Sequence, residues 1–126
     1  QGSEVTLISY GAMMQPTLAA ADQLRAEDGV EAEVIDLLTV SPLDHETISD
    51  SVRQTGRAVI VNEAPRSFGV AAEVVARLVE KSFWYLEAPL QRVTGADVIV
   101  PMFAYEQTYL PDAGRVVQAA RATLNA

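Results

Sequence analysis

Residues 58–78 constrain the fold more than any other stretch. They read AVIVNEAPRSFGVAAEVVARL: a run from Ala58 to Val61 with no polar residue, an abrupt Asn62-Glu63, a turn through Pro65 and Gly69, and an amphipathic helix. A strand with no polar face has to be covered on both sides, and that points to a parallel sheet held between layers of helix. In the helix, Val70, Val74 and Leu78 lie beside Ala71, Val75 and Val79, while Glu73, Arg77 and Glu80 line the opposite side. Glu73 and Arg77 are spaced for an (i, i+4) ion pair. Open α/β sheets meet their ligands at the carboxyl ends of the strands, so Glu63 stands where function is sought first.

The rest of the chain repeats the alternation. Val5–Ser9 reads as a strand closed by Tyr10-Gly11, and Pro16 opens a helix whose buried face carries Leu18, Ala21 and Leu24 and which Gly29 ends as a C-cap. A second strand runs from Val30 to Leu38, apolar at Val34-Ile35 and at Leu37-Leu38. Ser41-Pro42-Leu43-Asp44 is a turn; Asp44 caps a helix that points Ile48 and Val52 inward and stops at Gly56. Leu90 to Val93 is the fourth strand, ended by Thr94-Gly95, and a last helix starts at Asp112 with Val116, Val117, Ala120 and Leu124 inward. Right-handed crossovers then give an α/β fold, a three-layer α/β/α arrangement on a mainly parallel sheet of four strands, for which the economical order is 2-1-3-4. The order reverses between the first and third strands, so Tyr10-Gly11-Ala12-Met13 faces Asn62-Glu63-Ala64 across a crevice.

Composition removes most function classes. At 126 residues and 49% hydrophobic content the chain forms one domain; Gln1-Gly2-Ser3 reads as the remnant of a cleavable tag, leaving residues 4–126 as the domain. A net charge of -8 disfavours nucleic-acid backbones and anionic membranes and is compatible with a basic protein partner. No cysteine is present, and no apolar run approaches the ~20 residues of a membrane span. The loop Gly11-Ala12-Met13-Met14-Gln15-Pro16 has one glycine, a poor cradle for a phosphate that must approach backbone amides. There is no phosphate-loop Gly-Lys-Ser/Thr, no Gly-x-Ser-x-Gly elbow and no paired-histidine zinc motif. His45, the single histidine, sits in a first helical turn beside Asp44 and Glu46 and reads as a solvated surface residue. The acidic residues are too scattered for a calcium loop. No residue is assigned a catalytic, cofactor-binding or metal-binding role, so the domain serves a reaction made elsewhere.

Two aromatic segments fit the alternation less well. In Pro101–Pro111, Phe103, Tyr105 and Tyr109 either cover the sheet edge or pack against another subunit. Phe83-Trp84-Tyr85-Leu86 raises the same choice, and here the better reading is that the rings anchor the preceding helix to the sheet.

The order and spacing of several motifs carry a family resemblance over nearly the whole chain. They are Val5-Thr6-Leu7-Ile8-Ser9-Tyr10-Gly11, Val34 to Asp44, Thr47-Ile48, Thr55-Gly56-Arg57, Asn62-Glu63-Ala64-Pro65, Gly69 to Glu73, Leu86-Glu87-Ala88-Pro89 and Arg92 to Asp97. Together they resemble the carboxy-terminal domain of the beta subunit of the thiamine diphosphate-dependent 2-oxoacid dehydrogenase component, of the transketolase carboxy-terminal type. The resemblance implies a parent oxidoreductase that decarboxylates pyruvate or a branched-chain 2-oxoacid and acylates lipoyl groups within a multienzyme complex. It implies that thiamine diphosphate and magnesium belong to the parent enzyme and are not bound by this domain alone. The implied partners are an alpha subunit, a second beta subunit in a heterotetramer and the basic subunit-binding domain of the dihydrolipoyl acyltransferase, with no nucleic acid and no membrane. A bacterial cytoplasm is implied ahead of a mitochondrial matrix.

The family's motif positions fall on Asp44, Glu63, Pro65, Gly69, Glu73, Arg92, Gly95 and Asp97, which take structural or interface roles. Asp44 fits a helix cap, Glu63 organises a loop at a subunit contact, Gly69 allows close packing and Gly95 an unusual backbone angle. Family members carry an antiparallel edge strand upstream of the position of Val5 that this chain lacks, leaving an exposed edge. Two alternatives remain: the equivalent domain of a transketolase or deoxyxylulose phosphate synthase, and a stand-alone ligand-binding α/β domain. The Glu-Ala-Pro motif at 63–65 and again at 87–89 favours the dehydrogenase subunit.

Overall fold

The computed structural model describes residues 2–38, 43–65, 69–95 and 111–126. Within them the chain forms β1 (Val5–Ser9), a 3-10 turn (Gly11–Met13), α1 (Met14–Asp28), β2 (Ala32–Asp36), α2 (His45–Thr55), β3 (Ala58–Pro65), α3 (Val70–Ser82), a second 3-10 turn (Phe83–Tyr85), β4 (Gln91–Gly95) and α4 (Ala113–Leu124). The strands lie in the order β2-β1-β3-β4, each neighbouring pair parallel, as the alternation requires.

Strand alternation divides the core between the two faces of the sheet. Val5, Leu7, Val59, Val61 and Val93 point to one side and pack with Leu24 of α1 and Val116, Val117 and Ala120 of α4. Ile8, Ala58 and Ile60 point to the other and pack with Ile48 and Val52 of α2 and Ala71, Val74 and Leu78 of α3. All five residues of β1 are buried, and Ala58 to Asn62 of β3 likewise. Thr6 is buried on the α2 side because its hydroxyl finds partners there, Thr55 Oγ1 at 2.8 Å and Ser51 Oγ at 2.9 Å.

The caps hold the helices where the sequence puts them. Asp112 accepts from the Arg115 amide at 2.8 Å, and Gly29 and Gly56 close α1 and α2 with φ of 67° and 71°, a left-handed turn that glycine makes without penalty. The expected Glu73–Arg77 pair forms at 2.7 Å.

Several expectations are corrected. α1 buries Thr17, Ala20 and Leu24; Leu18 is half exposed and Ala21 only partly buried. The polar Thr17 can turn inward because its hydroxyl donates to the Met13 carbonyl at 2.7 Å. β2 is five residues rather than nine, an edge strand only partly covered, with Leu38 exposed beyond it. β3 is longer than expected, running to Pro65 with an irregular register against β4 after Val61, and β4 begins at Gln91. His45 is half buried rather than solvated: its amide donates to the Leu43 carbonyl at 2.9 Å, and its Nδ1 lies 3.2 Å from the same oxygen. The aromatic segment after α3 does not anchor that helix. Phe83, Trp84 and Tyr85 are 54%, 90% and 55% exposed, because Leu86 and Leu90 already fill the space against the α2–α3 core.

Candidate functional site

The carboxyl edge of the sheet gathers most of the residues singled out from the sequence. Asn62 of β3 is fully buried, and the next residue, Glu63, is exposed. Across from it, β1 ends in the buried Ser9 and the half-buried Tyr10. Burial pushes the Tyr10 phenol above its ordinary range, and the nearby Glu63 carboxylate pushes it the same way. The two loops predicted to face each other across the switch point are therefore brought together. Gly11 enters the 3-10 turn with φ of 60°, and a side chain there would meet open space; its backbone angle, not crowding, calls for glycine.

The site also holds what sequence reasoning missed. Both polar atoms of the Asn62 side chain, and the Ser9 hydroxyl, are buried and find no hydrogen-bond partner among the described residues. An unpaired buried amide costs on the order of 1–3 kcal/mol. The sequence signal was the polar Asn62 directly after an apolar strand.

Asp44 stands one strand over. Its carboxylate accepts from the Thr47 hydroxyl at 2.8 Å and the Thr47 amide at 3.2 Å, and these bonds, the hydroxyl first, hold it below the usual carboxylate range. It is the helix cap expected of it. A cleft of 360 Å³ opens beside it, lined by Ile35, Asp36, Leu37, Leu38, Asp44 and Thr47.

Pro65 and Gly95 face each other in the β3–β4 ladder, so Gly95 is a ladder residue and not the unusual turn expected there. Gly69 is the extended N-cap of α3, φ −82° and ψ 171°, and Glu73 in the first turn of that helix is exposed and paired with Arg77. Arg92 lies away from this edge, near the start of β4 and in register with Ile60. Asp97, Phe103, Tyr105 and Tyr109, with the segment they belong to, lie outside the described residues.

The described residues do not fit thiamine diphosphate with its magnesium. Among the described residues no three histidine, cysteine or carboxylate side chains gather to hold a metal ion, and the loop after β1 offers one glycine to a diphosphate that needs several close amides. The acidic Glu63 beside that loop would repel it. No helix among the described residues is long and apolar enough to cross a membrane.

Comparison with known proteins agrees with this architecture. Residues 1–116 match the model of the family described as "Transketolase, C-terminal domain". The chain is 48% identical over 124 residues to the pyruvate dehydrogenase E1 component subunit beta of Staphylococcus epidermidis, covering 98% of this chain and 38% of that protein. It is 47% identical over the same length to the counterpart from Staphylococcus aureus. Among solved structures it is similar to a chain described as "Split gene transketolase, inactive beta4 tetramer", with a TM-score of 0.85 and 30% identity, covering 99% of this chain and 39% of that one. The chain thus spans about two fifths of the relatives it matches.

Proposed function

The chain belongs to the transketolase C-terminal domain family, and from that premise we propose that it is the C-terminal assembly domain of the beta subunit of a bacterial, cytoplasmic, thiamine diphosphate-dependent 2-oxoacid dehydrogenase. The observation that carries this reading is the 48% identity to a pyruvate dehydrogenase beta subunit over 98% of the chain. Pyruvate is accordingly favoured as the substrate over branched-chain 2-oxoacids. The domain contributes no group to the chemistry. Thiamine diphosphate and its magnesium are held by the alpha subunit and the amino-terminal part of beta, and the domain, residues 4–126, joins subunits through its carboxyl edge.

Glu63 organises that contact. It is exposed at the end of a buried strand, beside Tyr10, where a neighbouring subunit's backbone amides can reach its carboxylate. The net charge of -8 supports a second surface for the basic subunit-binding domain of the dihydrolipoyl acyltransferase.

The test is to produce the intact beta subunit with its alpha partner and measure tetramer assembly and decarboxylation of pyruvate and branched-chain 2-oxoacids. Turnover of pyruvate is expected, with assembly weakened by Glu63→Gln. A Glu63→Gln enzyme that assembles and turns over normally sinks the organising role, and preference for a branched-chain acid sinks the substrate assignment. Titrating thiamine diphosphate into the 126-residue chain should release no heat of binding; saturable binding would overturn the location given to the cofactor. The likeness to a transketolase structure at 30% identity favours one second reading, the equivalent domain of a transketolase. Ketol transfer between sugar phosphates by the intact enzyme, in place of 2-oxoacid decarboxylation, would select it.

A further inference from the structure

We infer that the cleft at the carboxyl end of β2, walled by Ile35, Leu37 and Leu38 and flanked by Asp36 and Asp44, is a socket for an arginine or lysine side chain of the alpha subunit. The inference rests on the proposal that this chain is part of a beta subunit that joins other subunits through its carboxyl edge. The cleft measures 360 Å³, and Thr47 completes its lining. That is the small end of the ~300–1,000 Å³ range of ligand clefts, with room for one long side chain.

Walls and rim ask for different parts of one ligand. Ile35 and Leu37 belong to the core on the α2 side of the sheet, and Leu38 beyond them is 88% exposed. An aliphatic stem laid between them leaves water while its charged head stays at the mouth. Asp36 is exposed, and among the described residues no arginine, lysine or histidine lines the cleft. Elsewhere carboxylates are neutralised within the chain, as Glu31 is by Arg25 at 3.2 Å, Glu73 by Arg77 at 2.7 Å and Asp28 by Arg121 at 2.8 Å. Asp44 already accepts two bonds from Thr47, at 2.8 and 3.2 Å. A carboxylate has about four lone-pair sites, so acceptor capacity remains, and those same bonds favour its charged form. A cation with a long apolar stem matches both halves of the cleft. A bare metal ion does not, because among the described residues no three metal-ligating side chains gather.

The socket is formed before anything enters it. The Leu37 amide donates to the Ser9 carbonyl at 2.8 Å, which ties the apolar wall to the end of β1, and the Asp44–Thr47 bonds fix the start of α2. Walls fixed this way lose little freedom on being covered. Ser9 stands opposite Asp36 in the β1–β2 ladder and Tyr10 follows it, so the cleft adjoins the Tyr10–Glu63 edge assigned to subunit contact. Charge selects a different polypeptide over a second copy. Two chains of net charge -8 repel each other, and Arg25, Arg53, Arg57, Arg77 and Arg121 are already in ion pairs of their own chain. Nucleic acid and anionic lipid carry the wrong sign.

Association of the alpha polypeptide with the full beta polypeptide, followed by sedimentation over a range of protein and salt concentrations, tests the inference. Asp36→Arg is expected to raise the dissociation constant about tenfold or more, and Asp36→Asn by less, as like charges meet across the contact. Native association should weaken as salt is added, and Asp36→Asn should flatten that dependence. Leu38→Ser should weaken association with the salt dependence kept, because it removes apolar wall and leaves the carboxylate. Both residues are exposed, so neither Asp36→Arg nor Leu38→Ser should shift the melting of the 126-residue chain. Native affinity in Asp36→Arg overturns the inference. So does a lowered melting temperature of the short chain, which would give the carboxylate to the domain's own fold. Self-association of the short chain that Asp36→Arg abolishes makes the occupant a second copy. Lost binding of the acyltransferase's subunit-binding domain, with alpha association intact, makes it that domain; either result overturns the inference. A native beta polypeptide that forms no complex with alpha, or a complex that decarboxylates no 2-oxoacid, overturns the proposed function instead.

Discussion

Replacing Gly56 by alanine tests how the end of α2 is locked to the aromatic turn, and Gly29 supplies the control. Both glycines close a helix in the left-handed conformation, with φ of 71° and 67°. An L side chain held there costs ~1 kcal/mol. A Cβ at Gly29 would meet nothing within 4 Å, so Gly29→Ala carries that strain alone, lowering Tm by about 4 °C for a domain of this size. At Gly56 the new carbon would stand 2.8 Å from Glu87 Cγ, 3.0 Å from Glu87 Cδ and 3.2 Å from the Tyr85 carbonyl oxygen. The Glu87 side chain can swing away, but only by leaving Arg57 Nη1, which its carboxylate meets at 2.5 Å. A partly exposed pair of this kind is worth up to ~1 kcal/mol, so Gly56→Ala should cost about 2 kcal/mol. Urea unfolding followed by circular dichroism on the native chain, Gly29→Ala, Gly56→Ala, Glu87→Ala and the Gly56→Ala/Glu87→Ala double variant completes the cycle. Removing Glu87 first should bring the cost of alanine at 56 down toward that of alanine at 29, leaving only the 3.2 Å approach to the Tyr85 carbonyl, with the m-value constant. If alanine at 56 costs as much without Glu87 as with it, the contact described here is not what the methyl group meets.

The remaining predictions concern caps and core. The folded Asp44 carboxylate titrates below its unfolded counterpart because the Thr47 hydroxyl and amide donate to it; the stability it adds is present above the unfolded value, about 4, and is lost as pH falls through the folded one. The Tm of the native chain should therefore fall more from about pH 5 to about pH 2 than that of Asp44→Asn, which keeps an acceptor and loses the titration; parallel profiles would refute the cap. Asp112→Ala removes the bond to the Arg115 amide and should cost ~1 kcal/mol in denaturant unfolding. Val59→Ala, at a fully buried position of the central strand, should cost roughly 2–3 kcal/mol, while Val79→Ala on the exposed side of α3 should stay within ~0.5 kcal/mol of the native chain.

Most of the architecture was legible because it is written in local chemistry. Apolar runs bounded by Asp44, Asp112, Gly29 and Gly56 state where helices begin and end, and an all-apolar Ala58–Val61 states that a strand is covered on both faces. Strand order was legible as the economical arrangement of four strands joined by short crossovers. What failed depends on contacts that hydrophobic periodicity does not encode. The inward turn of Thr17 rests on a bond to its own helix that makes a polar side chain as easy to bury as Leu18. The exposure of Phe83, Trp84 and Tyr85 was hidden because a ring that fills its own core and a ring that stays outside it look alike in sequence. The candidate site was legible as a position, the switch point where Tyr10 nears Glu63. Its unpaired interior, Ser9 and Asn62, came only from coordinates.

The closing helix has a consequence for how the protein is made. α4, the last of the described elements, has 12 residues ending at Leu124; it lies against α1, β3 and β4 and with α1 covers one face of the sheet. Arg121 clasps Asp28 and Glu27 at 2.8 and 2.7 Å, joining residues 93 and 94 positions apart. A ribosome releases the strands long before it releases the helix that shields them. Through that interval, until α4 has emerged, Val5, Leu7, Val59, Val61 and Val93 form an apolar surface on the nascent chain that α1 covers only in part. A message cut short before Asp112 yields a polypeptide with the four described strands and only α1 to cover that face, the kind of product that chaperones retain and proteases remove.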